Sequence, residues 1–244
     1  MSRPSSTSSP AEPSQVRSNP ATDLAGLLAL PGVEEVCEIR SAVGFMALHG
    51  GSQDRGTHEI ACRAAEQSGA SYYAIVQPRD LRVHLTSRLH NPAQSPAMQA
   101  FLGHVDVAIS VHGFGRDSFS FHIESATQPV IEAYGPPLRG RQTGPLRGII
   151  VGGLNAPLVE AACRLLGDRL PGYQAGSERV RLGFHPRNPV NLPSARGVQI
   201  ELPPALRGIG DLGEYLVPSQ DGVVTEVVAT LVELADQADH MRAN

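Results

Sequence analysis

In a chain of 244 residues, the stretch best suited to chemistry is FMALHGGSQDRGTHEI, Phe45 to Ile60. An apolar run ends at His49, two glycines follow, and Asp54, Thr57, His58 and Glu59 come close behind. A strand-to-helix turn needs only a glycine and a capping residue, so the surplus of ionisable groups suggests something to hold. The same placement recurs in VDVAISVH, which runs apolar to His112 and breaks at Gly113. In open α/β sheets ligands collect at the carboxyl ends of strands, and two strands here end in histidine.

Neutral imidazole is a good zinc ligand. A catalytic zinc takes three protein ligands, often two histidines and a carboxylate, and leaves the fourth place to water. His49 and His112 supply the imidazoles, and Asp54 and Glu59 are both near enough in sequence to supply the acid. Strand-end histidines also serve as capping or packing residues, so the pattern alone leaves both readings open.

A third constellation is GFHPRNPVN followed by RGVQIEL. Arg187 and Asn188 lie between prolines that restrict the backbone, which makes a rigid loop. In the strand, Val198, Ile200 and Leu202 share one face, and Gln199 and Glu201 share the other. That second face reads either as a solvent-facing pair or as a site face with Glu201 as a general base. His84 and His90, in LRVHLTSRLHNP, are candidates to line a cleft. Arg139, Arg141 and Arg147 could attract an anionic chain, although a solvated loop also explains them. His58 is expected to be exposed, and His185 to shape the proline loop. His104, His122 and His240 have no supporting context.

Composition narrows the chemistry further. The chain has 20 basic side chains, every one an arginine, and this excludes a P-loop lysine, Schiff-base catalysis and Ser-Lys dyads. A net charge of −4 gives no reason to expect nucleic acid, and no run approaches the ~20 apolar residues of a membrane span. Three widely spaced cysteines, Cys37, Cys62 and Cys163, fit neither a disulfide framework nor a four-cysteine zinc site. Residues 1–22, rich in Ser and Pro and without an apolar h-region, read as a disordered leader rather than an export signal. The cytoplasm is the expected location, with release by lysis open.

The elements that must position these residues alternate between strand and helix. TDLAGLLAL reads as a helix capped by Thr22 or Asp23, and VCEIR and GFMALH as neighbouring strands. THEIACRAAEQSG reads as a helix capped by Thr57 and ended by Gly69, and SYYAIVQ as a strand. SPAMQAFLG and NAPLVEAACRLLGDRL are helices, VDVAISVH, RGIIVGG and GVQIELP strands, and DGVVTEVVATLVELADQADHM a closing amphipathic helix. The alternation predicts one α/β domain over residues 23–244, a sheet flanked by helices. Residues 113–146 and 172–197, dense in Gly, Pro and Arg, are long enough to be functional loops.

HGGSQDRGTHEI, ISVHGF, IVGGLN and above all GFHPRNPVNLPSARGVQIEL resemble, in order, the motifs of the poly-γ-glutamate hydrolases, which include phage hydrolases and proteins labelled phage-related replication proteins. The resemblance runs from Phe45 to the end of the chain. It implies a mixed α/β fold similar to the zinc carboxypeptidases, with one catalytic zinc held by His49, Asp54 and His112. It also implies Glu201 as the base that activates water, and Arg187 and Asn188 as a grip on a substrate carboxylate. Relatives usually carry Glu at position 54, in HGGxxEPGTxEI. Aspartate is one methylene shorter, so the loop must come closer for the oxygen to reach a zinc at roughly 2.0–2.2 Å. Asp54 is still the expected ligand, because Glu59 falls inside the following helix.

The expected activity is zinc-dependent cleavage of γ-glutamyl amides in an anionic peptide or poly-γ-glutamate. The competing readings are a deacylase or amidase of small N-acyl amino acids using the same site, and a non-catalytic binding protein that keeps the fold.

Overall fold

Seven strands pair into one mixed sheet, and their order decides which side chains can meet. The computed structural model describes residues 21–114, 148–177, 183–209 and 221–243. The strands are β1 (Glu34–Glu38), β2 (Val43–Gly51), β3 (Ser71–Gln77), β4 (Val107–Gly113), β5 (Gly148–Gly153), β6 (Gln174–Gly176) and β7 (Gly197–Leu202). Their spatial order is β1-β3-β2-β4-β7-β5-β6. Strands β3, β2, β4 and β7 run parallel, β1 is antiparallel to β3, and β5 is antiparallel to β7. The helices are α1 (Leu24–Leu28), α2 (Thr57–Ser68), α3 (Pro96–His104), α4 (Ala156–Arg169) and α5 (Asp221–Ala243).

Helices cover both faces, which is why the central strands read as almost continuous apolar runs. On one face Ile60 and Ala64 of α2, Leu158 and Leu166 of α4, and Leu231 and Leu234 of α5 pack on Phe45, Ile109, Val198 and Ile200. On the other, Leu24, Leu27, Met98 and Phe101 of α1 and α3 pack on Met46, Leu48 and Tyr73. Ala21, assigned to the leader on sequence grounds, is part of this second core. Phe101 is fully buried, its ring centroid 5.6 Å from that of Tyr73. Phe101→Ala is therefore expected to lower stability by about 3–5 kcal/mol, read as a shifted denaturation midpoint in urea.

Three local expectations are corrected. Strands β1 and β2 are not neighbours, because β3 lies between them. The connection crosses the start of β3, where Ser71 Oγ accepts from the Arg40 N–H (2.9 Å) and donates to the Ser41 carbonyl (2.7 Å). Helix α2 is capped by Gly56 rather than Thr57, and Thr57 is its first residue. The segment after Gly172, expected as loop, includes strand β6, which extends the sheet beside β5. Among the described residues no helix is long and apolar enough to cross a membrane.

Candidate metal centre

The parallel strands β2, β4 and β7 are consecutive in the sheet, so their carboxyl ends bring His49, His112 and Glu201 to one edge. His112 and Glu201 are direct register partners. His49 needs a further device. Strict alternation groups it with Phe45 and Ala47 on the α2 face, whereas His112 shares the parity of Ala108 on the opposite face. Strand β2 carries one extra residue relative to β3 between Ala47 and Gly50. A bulge of this kind re-aims side chains at the end of a strand. His49 Nδ1 accordingly lies 3.2 Å from His112 Nδ1.

The carboxylate arrives on the turn that follows. The Asp54 N–H donates to the His49 carbonyl (2.7 Å), and the Asp54 carbonyl accepts from both the N–H and the hydroxyl of Thr57 (3.2 and 2.7 Å). Gly56, with φ 86°, makes the turn into α2, where a Cβ would stand 2.6 Å from the Arg207 carbonyl. The loop is thus folded back on the strand end, as the shorter aspartate requires. Asp54 Oδ2 lies 3.2 Å from His49 Nδ1 and 3.8 Å from His112 Nδ1, and accepts from the Gly113 N–H at 3.2 Å. Glu59, the competing acid, is exposed and directed to His58 Nδ1 at 2.9 Å. His58 is half-buried rather than exposed, with its Nδ1 3.2 Å from the Gly51 nitrogen at the end of β2.

These three buried side chains form a group able to hold a metal ion. The edges of the donor triangle, 3.2, 3.2 and 3.8 Å, compare with roughly 3.3–3.5 Å between tetrahedral ligands at zinc bond lengths. The tautomer also suits a metal. His49 Nε2 lies 2.8 Å from the Leu85 carbonyl, which can only accept, so the proton belongs on Nε2 and the Nδ1 lone pair faces the triangle. Burial opposes the charge, yet the two imidazoles beside it hold the Asp54 carboxyl well below its usual range. Burial likewise works against a charged His49, but the Asp54 carboxylate outweighs it and raises the His49 pKa. The site therefore favours an ionised carboxylate, and a metal ion would take the place of the proton that this carboxylate favours on His49 Nδ1.

Glu201 is 8% exposed and Gln199 4%, so the face they share is buried and not the solvent-facing pair that alternation alone permits. Gln199 Nε2 donates to Glu201 Oε1 at 2.9 Å, and Asn188 Nδ2 donates to Gln199 Oε1 at 2.8 Å. Asn188 is thus buried with its amide engaged, while Arg187 beside it is exposed. His185 shapes the loop, its Nδ1 accepting from the Arg187 N–H (3.1 Å) and its carbonyl from Asn191 (3.1 Å). The rings of His84 and His90 lie 5.1 and 5.7 Å from that of His49. His90 is fully buried, and burial, with the neighbouring His49, pushes its pKa down to about 3, so it is neutral at pH 7. Arg139, Arg141 and Arg147, and with them most of the 113–146 loop, fall outside the described residues.

One supporting residue escaped the sequence reading. Arg207 is buried on the single-turn helix Pro204–Arg207. Its guanidinium donates to the carbonyls of Leu202 (3.1 Å), Arg55 (2.6 Å) and Phe114 (2.9 Å), tying the ends of β7 and β4 to the Asp54 loop. It packs on Gly113, where a Cβ would meet the guanidinium carbon at 2.5 Å. Arg207→Met leaves buried carbonyls unpaired and is expected to cost roughly 3 kcal/mol. The check is a denaturation midpoint together with weakened metal affinity.

Comparisons with known proteins bear on this arrangement. Residues 31–129 match the family model described as poly-gamma-glutamate hydrolase, a segment that contains His49, Asp54 and His112 but not Glu201. No curated protein matches the sequence. Among solved structures, a bacteriophage poly-gamma-glutamate hydrolase aligns with a TM-score of 0.63 at 20% identity, over 87% of this chain and 91% of its own. A zinc-free form of YNDL aligns at 0.58 and 21% identity, covering 82% and 89%. N-formylglutamate amidohydrolase from Ralstonia eutropha aligns at 0.51 and 12% identity, covering 85% and 98%. The resemblance to poly-γ-glutamate hydrolases is thus borne out by the family model, and the structural matches show a shared fold.

Proposed function

We propose that the protein is a zinc-dependent amidohydrolase that cleaves γ-glutamyl amide bonds, with poly-γ-glutamate or a similar anionic peptide as substrate. The observation that carries this reading is the convergence of His49 Nδ1, Asp54 Oδ2 and His112 Nδ1 within 3.2–3.8 Å of one another, beside the in-register Glu201. Zinc held by these three residues would polarise the scissile carbonyl and acidify the attacking water. Glu201, with Oε1 held by Gln199, takes the water proton on Oε2 and returns it to the leaving nitrogen. Arg187 reaches out from the proline loop to hold a substrate carboxylate through its planar fork, and Asn188 fixes the loop beneath it. Arg141 is assigned to further carboxylates along the polymer. Action in the cytoplasm, or outside after lysis, completes the proposal.

Fold similarity to an amidohydrolase named for N-formylglutamate keeps a second reading in view, removal of a small acyl group from an amino acid. Incubating the zinc-loaded protein with poly-γ-glutamate and, separately, with N-acyl glutamates distinguishes the two. Shortening of the polymer is the expected result. Release of a small acid with the polymer intact would favour the second reading, and a zinc-loaded protein that cleaves neither would favour a binding protein.

A further inference from the structure

We infer that Gln199 is a positioning residue that aims the Glu201 carboxylate, and that Asn188 decides which end of the Gln199 amide faces it. The inference rests on Glu201 acting as the base. A glutamine amide can present oxygen or nitrogen in either direction, and only its partners select one. The selection can be followed from the backbone outwards. The Val190 N–H, in the turn Pro189–Asn191, can only donate, so Asn188 turns its Oδ1 there (3.4 Å). Asn188 then offers Nδ2 to Gln199, whose Oε1 must accept (2.8 Å). That leaves Gln199 Nε2 facing Glu201 Oε1 at 2.9 Å, a donor against the carboxylate.

All three side chains are buried, where water cannot compete and each bond orients the next. The relay fixes one oxygen of Glu201, the register partner of His112, and leaves the other for the water. A packing role for Gln199 would require only its volume; this role requires its nitrogen. Reversing the amide would set oxygen against oxygen and turn the carboxylate aside, although no residue touching substrate had changed.

The test uses the zinc-loaded protein and the cleaved substrate. Gln199→Leu keeps the volume and removes the donor, and a displacement of the base by about 1 Å costs on the order of 10²-fold in rate. The expected result is a kcat lowered by that factor, with KM and bound metal unchanged. Asn188→Asp keeps the acceptor for Val190 but places an acceptor before Gln199, so it is expected to reverse the amide and lower kcat comparably. Asn188 also supports the loop of Arg187, which acts through KM, but it reaches the base only through Gln199, so kcat of the double variant should be no lower than that of Gln199→Leu alone. Wild-type kcat in either single variant, while Glu201→Gln is inactive, would overturn this inference and leave the proposed function standing. Losses in kcat that multiply in the double variant would also overturn it. Absence of turnover in the zinc-loaded wild type would overturn both.

Discussion

Glu201→Gln is expected to lower kcat by about 10²–10⁴-fold, the contribution typical of general acid–base catalysis, while leaving fold and metal content unchanged. The substitution is nearly isosteric. Its Oε1 can still accept from Gln199 Nε2, so the buried relay is retained and only the proton acceptor is lost. The loss should appear in kcat rather than KM, because a base that acts on water contributes in the transition state. Metal analysis on the same preparation separates the outcomes. Near-wild-type turnover with metal bound would remove Glu201 from the mechanism.

His112→Ala is expected to take bound zinc from about one per chain to near zero, since a catalytic site with three protein ligands loses one of them. Activity should fall with the metal. The more telling readout is stability. Zinc should raise the Tm of the wild type by binding the folded state and should leave the variant's Tm unmoved. A variant that retained metal and its thermal shift would show that the ion is held elsewhere.

Much of this could be read in the sequence, and what could not be has a physical reason. His49 and His112 were visible because each interrupts an apolar strand at its end, and strand ends are legible from local pattern. Their meeting depends on the bulge between Ala47 and Gly50, whereas alternation alone would have put them on opposite faces. Alternation correctly grouped Gln199 with Glu201. What covers that face is the Asn188 loop, a tertiary contact with no local signature, so burial of the pair was not predictable. β1 and β2 looked like neighbours because they are adjacent in the chain, yet strand order is set by long-range pairing with β3. Arg207 is the clearest omission. Nothing in PPALRG distinguishes it from a surface arginine, and its role exists only because three separate segments end around it.

The most direct test of the account is a crystal structure of zinc-soaked protein with anomalous scattering collected at the zinc edge. One strong peak is expected, bonded at roughly 2.0–2.2 Å to His49 Nδ1, Asp54 and His112 Nδ1, with a fourth position turned towards Glu201. An empty triangle at saturating zinc, or a peak that lacks either imidazole, would contradict it.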